Sequence, residues 1–280
     1  MKKKLPIIIA VVLIVGAIAV FMYPTISEWI NKAYEKETIL EYNKTADTMT
    51  ESEKEQYLES ARNYNKKVST VISDGFSEEA FDVSKEYENV LNITDEGQMG
   101  TVEIPKISCQ LPIYHGSDEK MLTKGAVHLA ATSVPIGGTS THAVISAHTA
   151  YPGKELFNRL TELQVGDMFY VTVLGDKMAY KVKEINTVLP TETEKLQIVP
   201  GKDLVTLTTC TPYSVNTHRL LVTGERTELI EETTVTQEDV EKMIFKSDPM
   251  FLLIPILLIP VAARIILKGL KKRNEKKTMS

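Results

Sequence analysis

The stretch Thr206-Leu207-Thr208-Thr209-Cys210, followed by a single arginine at Arg219 in the next apolar run, carries residue types suited to covalent acyl transfer. A cysteine at the end of a strand supplies a thiolate nucleophile. An always-charged guanidinium with donors in a fixed fork suits an oxyanion or a substrate carbonyl. Thr211-Pro212 cannot continue a strand ladder, which puts the thiol at a strand end beside a loop. A buried structural cysteine and a surface salt-bridge arginine are the plainer readings of the same two residues. Strand alternation points Arg219 and His218 to opposite faces, so only one of them shares a face with the thiol.

Acyl transfer also needs an acid-base group, and five histidines compete for that role: His115, His128, His142, His148 and His218. Composition does not choose among them. His148 has local support, because it follows the apolar Val144-Ile145 and opens a loop containing Pro152-Gly153, where catalytic groups commonly sit. His142 begins the same apolar run at its opposite end.

The elements that must hold these residues lie between about residues 99 and 227. Alternating runs predict strands at Gly100–Ile104, Ile107–Ile113, His142–Ala147, Met168–Val173, Met178–Ile185, Leu204–Thr209 and Leu220–Gly224. Gly137-Gly138, Gly166-Asp167, Gly175-Asp176 and Pro200-Gly201 supply turns. Many short strands at this spacing predict a closed barrel or a sandwich, with one helix inserted at Lys154–Leu163. Cys109 falls on the alternating face of Ile107, Leu111 and Ile113 and reads as a buried strand cysteine, leaving two free thiols.

Upstream, the region from Ser27 to about Lys67 spaces apolar and aromatic residues helically, which predicts two amphipathic helices. Thr50-Glu51-Ser52-Glu53 is a capping box, in which side chains satisfy the unpaired amides of a first helical turn. Val71–Asp82 reads as a loop, and a short helix is expected over Ser84–Leu91. Val235–Phe245 returns to helical spacing.

Hydrophobicity is concentrated at the two ends of this chain of 280 residues. Leu5–Tyr23 is uncharged, follows Lys2-Lys3-Lys4, and is long enough to cross a hydrocarbon core of about 30 Å. Ala17-Ile18-Ala19 resembles a cleavage site, but the apolar run continues through Val20-Phe21-Met22, which favours an uncleaved anchor over a signal peptide. Met250–Leu267 is a second apolar run, interrupted by Pro255 and Pro260 and followed by a basic tail. It is apolar all round, which favours a span over an anchor lying on the surface. The basic flanks predict both termini in the cytoplasm and residues from about 24 to 249 outside.

The net charge of −5 gives no reason to expect a nucleic-acid partner. No group of His, Cys and carboxylates has metal-ligand spacing, and no glycine-rich phosphate loop occurs, so neither a metal nor an organic cofactor is expected.

In combination these motifs resemble those of the sortases, membrane-anchored cysteine transpeptidases of Gram-positive bacteria. The TLxTC signature stands as Thr206–Cys210, the downstream arginine as Arg219, and the upstream histidine as His148 in Ser146-Ala147-His148. The second apolar span, Leu111-Pro112-Ile113-Tyr114-His115-Gly116 and Cys210-Thr211-Pro212-Tyr213 make the chain similar to class C, pilin-polymerising members. The resemblance implies a mainly β fold: a closed sortase-type barrel with a few peripheral helices and an N-terminal helical region, flanked by two transmembrane helices.

The expected order is a basic tail (1–4), a signal anchor (5–23), an extracellular helical region (24–69), a lid loop with a short helix (70–96) and a catalytic barrel (97–227). A linker helix (228–249), a second span (250–267) and a basic tail (268–280) follow. The resemblance implies Cys210 as nucleophile on an LPxTG-like sorting signal, His148 as acid and base, and Arg219 as stabiliser of the oxyanion. It implies a pilin lysine as the amine acceptor; the alternatives are the peptidoglycan cross-bridge, or a non-catalytic tethered barrel. It also implies a lid, matched here by Asp74-Gly75-Phe76, with glycine where the family pattern has proline.

Overall fold

The computed structural model describes residues 5–68, 85–94, 96–116 and 118–229. Two compact units divide the chain: Tyr23–Leu229, and Met1–Met22 together with Ile230–Ser280. The expected lid residues Asp74 and Phe76, the linker helix and the second apolar span lie outside the described residues.

Eight strands close into a barrel: β1 (Gln98–Ile104), β2 (Cys109–His115), β3 (Ala126–His128), β4 (Thr141–Ser146), β5 (Met168–Val173), β6 (Asp176–Val188), β7 (Asp203–Thr211) and β8 (His218–Thr227). Their order around the barrel is β1-β2-β3-β4-β7-β8-β6-β5. The pairs β2–β3 and β4–β7 are parallel and the others antiparallel. Closure leaves no free sheet edge.

Alternation puts Val102, Ile104, Leu111, Ile113, Ala143, Ile145, Phe169, Val171, Val205, Leu207 and Val222 into one apolar core. A smaller cluster of Leu129, Val144, Leu196 and Leu221 covers part of the opposite face. Phe169 and Tyr180 stack in the core with centroids 5.6 Å apart. A Cβ at Gly224 would come within 2.5 Å of the Phe169 ring, so only glycine fits beneath it.

The N-terminal region differs in detail from its expected form. One continuous helix, α1 (Leu5–Thr48), runs through Pro24. Proline forfeits a single hydrogen bond there, and the flanking turns carry the helix on. The apolar stretch of α1 is long enough to cross a membrane by length and composition. The second helix, α2 (Glu51–Val68), starts at the expected capping box. Thr50 N donates to Glu53 Oε2 at 2.8 Å, and Glu53 N donates back to Thr50 Oγ1 at 3.3 Å.

Both helices pack on the barrel. Tyr42 of α1 is fully buried, donates to Met99 O at 2.8 Å and accepts from Leu174 N at 3.2 Å. Asn65 of α2 makes a two-way bond with the backbone of Val134, and Tyr64 OH donates to Ala130 O. The short helix α3 (Lys85–Asn89) lies inside its expected range.

Two expectations need correction. Ile107 is not in a strand: Pro105 opens a 3-10 turn over Pro105–Ile107, and β2 begins at Cys109. Lys154–Leu163 is not an α-helix but a set of turns ending in a 3-10 turn at Leu160–Glu162. Positive φ at Gly153 (73°) and Leu156 (36°) interrupts any helix there. The sequence reading also passed over β3, which has only three residues, and α4 (Glu119–Lys124), capped by Asp118 Oδ1 accepting from Met121 N at 2.7 Å.

His128 on β3 is completely buried. Its Nε2 faces Ser133 O at 2.8 Å and its Nδ1 faces the Tyr87 hydroxyl at 2.8 Å, an arrangement complete for the neutral ring. Burial pushes its pKa down to about 3. The folded pKa thus lies below the unfolded value, so the stability it confers is present above about pH 6.5 and is lost as pH falls towards 3. The His128 ring resonance is expected to stay untitrated down to pH 4 by NMR, while the melting temperature falls steadily below pH 6.5. A ring titrating near pH 6.5 would contradict this.

Candidate active site

Register answers the question that strand alternation left open. Cys210 on β7 pairs directly with Arg219 on β8, and Thr211 pairs with His218. Arg219 therefore shares the thiol's face, and His218 takes the other. On the opposite side of β7, Ser146 of β4 pairs with Thr208 in parallel register. His148 follows two residues beyond Ser146, in the segment that leaves β4 beside β7. Cys210 and Arg219 face each other across the β7–β8 ladder. Val205 and Leu207 point into the core, so by alternation Thr206, Thr208 and Cys210 point away from it.

The remaining motif residues hold β4, β7 and β8 together. Leu207 is fully buried. Thr206 Oγ1 lies 2.7 Å from His142 Nε2 and 2.8 Å from Thr223 Oγ1, tying β7 to both neighbours. Thr209 Oγ1 donates to Ala147 O at 2.7 Å, and Ala147 N donates to Thr208 O at 3.2 Å. Those two bonds fasten the end of β4 to β7 immediately before His148.

The other histidines are placed for structure. His128 and His142 are buried with both ring nitrogens occupied by neighbours. His115 faces Gly97 O and Val90 O. Among the described residues His218 reaches the adjacent Thr217 hydroxyl.

His148, Cys210 and Arg219 are each part-buried, which keeps them reachable from solvent. Burial holds the His148 pKa below its ordinary value, and the carboxylate of Glu119 acts in the opposite direction. His148 is therefore neutral at pH 7, the form able to accept a proton. Arg219 Nη1 donates to Asn216 O at 3.3 Å and to His218 O at 3.2 Å, which anchors one side of the guanidinium. The loop between β7 and β8 is a tight turn: Val215 N and Asn216 N both donate to Pro212 O at 3.0 Å. Tyr213 and Val215 stand out from it, each 63% exposed.

Cys109, also part-buried, sits in a different setting. It packs against the core, its Sγ donates to Leu156 O at 3.4 Å, and burial pushes its pKa well up. It remains a neutral, inert thiol, and both cysteines are free, as expected. Among the described residues no group of three or more His, Cys, Asp and Glu is arranged to hold a metal.

Known proteins share this fold. The Sortase domain family matches residues 102–227. Sortase C-1 of Streptococcus pneumoniae superimposes with a TM-score of 0.64 at 44% identity, covering 69% of this chain and 100% of that one. The chain belongs to the sortase family. Sortase C of Clostridium perfringens, solved with the C-terminal cell wall sorting motif, superimposes with a TM-score of 0.60 at 38% identity, covering 69% of this chain and 99% of that one.

Sortase A of Streptococcus agalactiae is 31% identical over 130 residues, 45% of this chain. The matched stretch spans 52 to 59% of the first three curated relatives' own lengths. The Streptococcus pneumoniae and Clostridium perfringens structural neighbours are class C sortases, in agreement with the motif resemblance.

One part of this sortase site escaped the sequence reading. Tyr151 stacks on His148, with ring centroids 5.5 Å apart and planes 16° from parallel. An aromatic residue at the start of the Pro152-Gly153 turn was the available signal.

Proposed function

We propose that this sortase is a membrane-anchored cysteine transpeptidase that cleaves LPxTG-like sorting signals and joins pilin subunits through lysine isopeptide bonds. The observation that carries the reading is the direct cross-strand pairing of Cys210 with Arg219, with the segment that leads to His148 fastened to the same strand through Ala147. Two further facts support it: the class C identity of the structural neighbours, and the sorting motif held by the Clostridium perfringens protein.

The chemistry follows from these three residue types. The Cys210 thiol passes its proton to His148, and the thiolate attacks the threonine carbonyl of the signal. The carbonyl oxygen becomes an oxyanion within reach of the Arg219 guanidinium. The threonine–glycine bond breaks, His148 returns its proton to the leaving amine, and a thioester remains on Cys210. A lysine ε-amine then attacks the thioester carbon and loses a proton to neutral His148. The isopeptide bond forms and the thiolate is released.

The apolar stretch of α1 would tether the chain. The second apolar run, Met250–Leu267, completes a two-pass topology with the barrel outside and both termini in the cytoplasm. The full chain in detergent, incubated with a pilin bearing a sorting signal, is expected to yield a branched tryptic peptide by mass spectrometry, with a lysine side chain joined to threonine. A product joined only to a peptidoglycan cross-bridge amine would overturn the pilin assignment. Absence of any acyl-enzyme would overturn the transpeptidase itself.

A further inference from the structure

Beyond Ser146 the β4 ladder ends, so pairing with β7 does not fix the position of the His148 ring. The following segment is a compact turn. His148 O accepts from Phe157 N at 3.1 Å, Ala150 N donates to Asn158 Oδ1 at 2.7 Å, and Asn158 Nδ2 returns to Lys154 O at 3.3 Å. The imidazole stacks on Tyr151, which packs in turn against the barrel core.

This turn is gripped from outside by α1, an element that precedes the whole barrel in sequence. Asn31 Nδ2 donates to Gly153 O at 2.8 Å. Lys154 Nζ lies 3.7 Å from Glu35, and Lys32 Nζ 2.8 Å from Glu155. Gly153 has φ of +73°, and a Cβ there would run into Ser27. The chain conformation and the close approach of α1 therefore both require glycine.

These contacts are not equal in weight. Lys32 and Glu155 are exposed, and such a pair is worth little in water. Lys154 and Glu35 are nearly buried, with side chains 12% and 10% exposed, so removing one partner leaves a costly charge behind. The Asn31 bond is part-buried and directional. Asn31 and the Glu35–Lys154 pair therefore carry the grip.

We propose that Tyr151 and Asn31 are positioning residues for the candidate acid-base His148: the Tyr151 ring sets the plane of the imidazole, and Asn31 of α1 fixes the turn that carries Tyr151. The inference rests on the reading of His148 given above. A reacting group displaced by about 1 Å can lose roughly a hundredfold in rate, so a histidine beyond its strand needs such support. The two residues act on the reaction only through His148. The stacked Tyr151 ring covers one face of the imidazole; burial lowers the His148 pKa, and the charge of Glu119 on α4 acts against that shift.

The test uses the full chain in detergent, a sorting-signal peptide and an amine acceptor, with histidine carbon labelling to follow the His148 titration by NMR. Tyr151→Ala, and Tyr151→Leu as a variant that keeps apolar packing, are expected to lower kcat about tenfold or more while leaving KM within about twofold. Both should move the His148 titration upward, towards its ordinary value, because the ring is then better hydrated. Tyr151→Phe keeps the stack and should restore parent behaviour. Asn31→Ala should shift kcat and the titration in the same directions by smaller amounts.

Folded Tyr151→Leu and Asn31→Ala proteins with parent kcat and parent titration would overturn the proposal. A His148→Ala protein that still turned over would instead sink the acid-base reading. The NMR titration in the Tyr151 variants reports positioning of the ring independently of that outcome.

Discussion

Cys210→Ala is expected to abolish the acyl-enzyme and reduce transpeptidation to the detection limit. Loss of a covalent nucleophile in a comparable hydrolase costs about 10⁶-fold. No neighbour can replace it. Cys109, the other thiol of the chain, begins β2, donates to Leu156 O and is held neutral by burial. Cys109→Ala should therefore keep the acyl-enzyme, detected as the mass of the sorting peptide added to the protein. The pair of variants makes a sharp test. An adduct that persists in Cys210→Ala and vanishes in Cys109→Ala would invert the assignment and leave the paired row of β4, β7 and β8 without a role.

Arg219→Ala is expected to lower kcat/KM by about 10²- to 10³-fold, equivalent to roughly 3 to 4 kcal/mol of transition-state stabilisation. The register pairing Cys210 with Arg219 places the guanidinium stem directly across from the thiol. Its Nη1 is occupied by Asn216 O and His218 O, which fixes the fork while leaving further donors for a developing oxyanion. Arg219→Lys keeps the charge but loses that fork, so it should recover little of the deficit. The loss should appear mainly in kcat, because an oxyanion exists only beyond the ground state. Recovery of most activity by lysine would reduce Arg219 to a simple counter-charge, and a change confined to KM would reassign it to substrate binding.

Particular residues show how far the sequence reading reached. The alternation of Val205 and Leu207 against Thr206 and Thr208 predicted β7, which runs one residue further at its N-terminal end and two at its C-terminal end, so that Thr211, expected to stop the ladder, still pairs with His218. Thr50 and Glu53 marked the start of α2 because both halves of a capping box lie within one helical turn. Such signals are local, and local hydrogen bonds realise them. The misses were local patterns overruled by backbone geometry. Lys154–Leu163 has helical composition, yet positive φ values and the Asn158 side chain shape it into turns. β3 carries only three residues, too few for an alternation to register, and exists because β2 and β4 flank it.

For the candidate site, the residue types and their motif were present in the chain itself, and so was the resemblance to sortases. Five histidines competed on composition, because sequence distance says nothing about which strands become neighbours. Local position and the resemblance favoured His148, whereas the face that Arg219 rather than His218 shares with the thiol came from antiparallel pairing of β7 with β8. Strand order and register are non-local: they are set by burial of a shared core, and a shift of one residue would turn every side chain to the other face. For the same reason the grip of α1 on the histidine turn is invisible in the sequence. Asn31 and Gly153 meet only after the barrel has closed and the helix has packed against it.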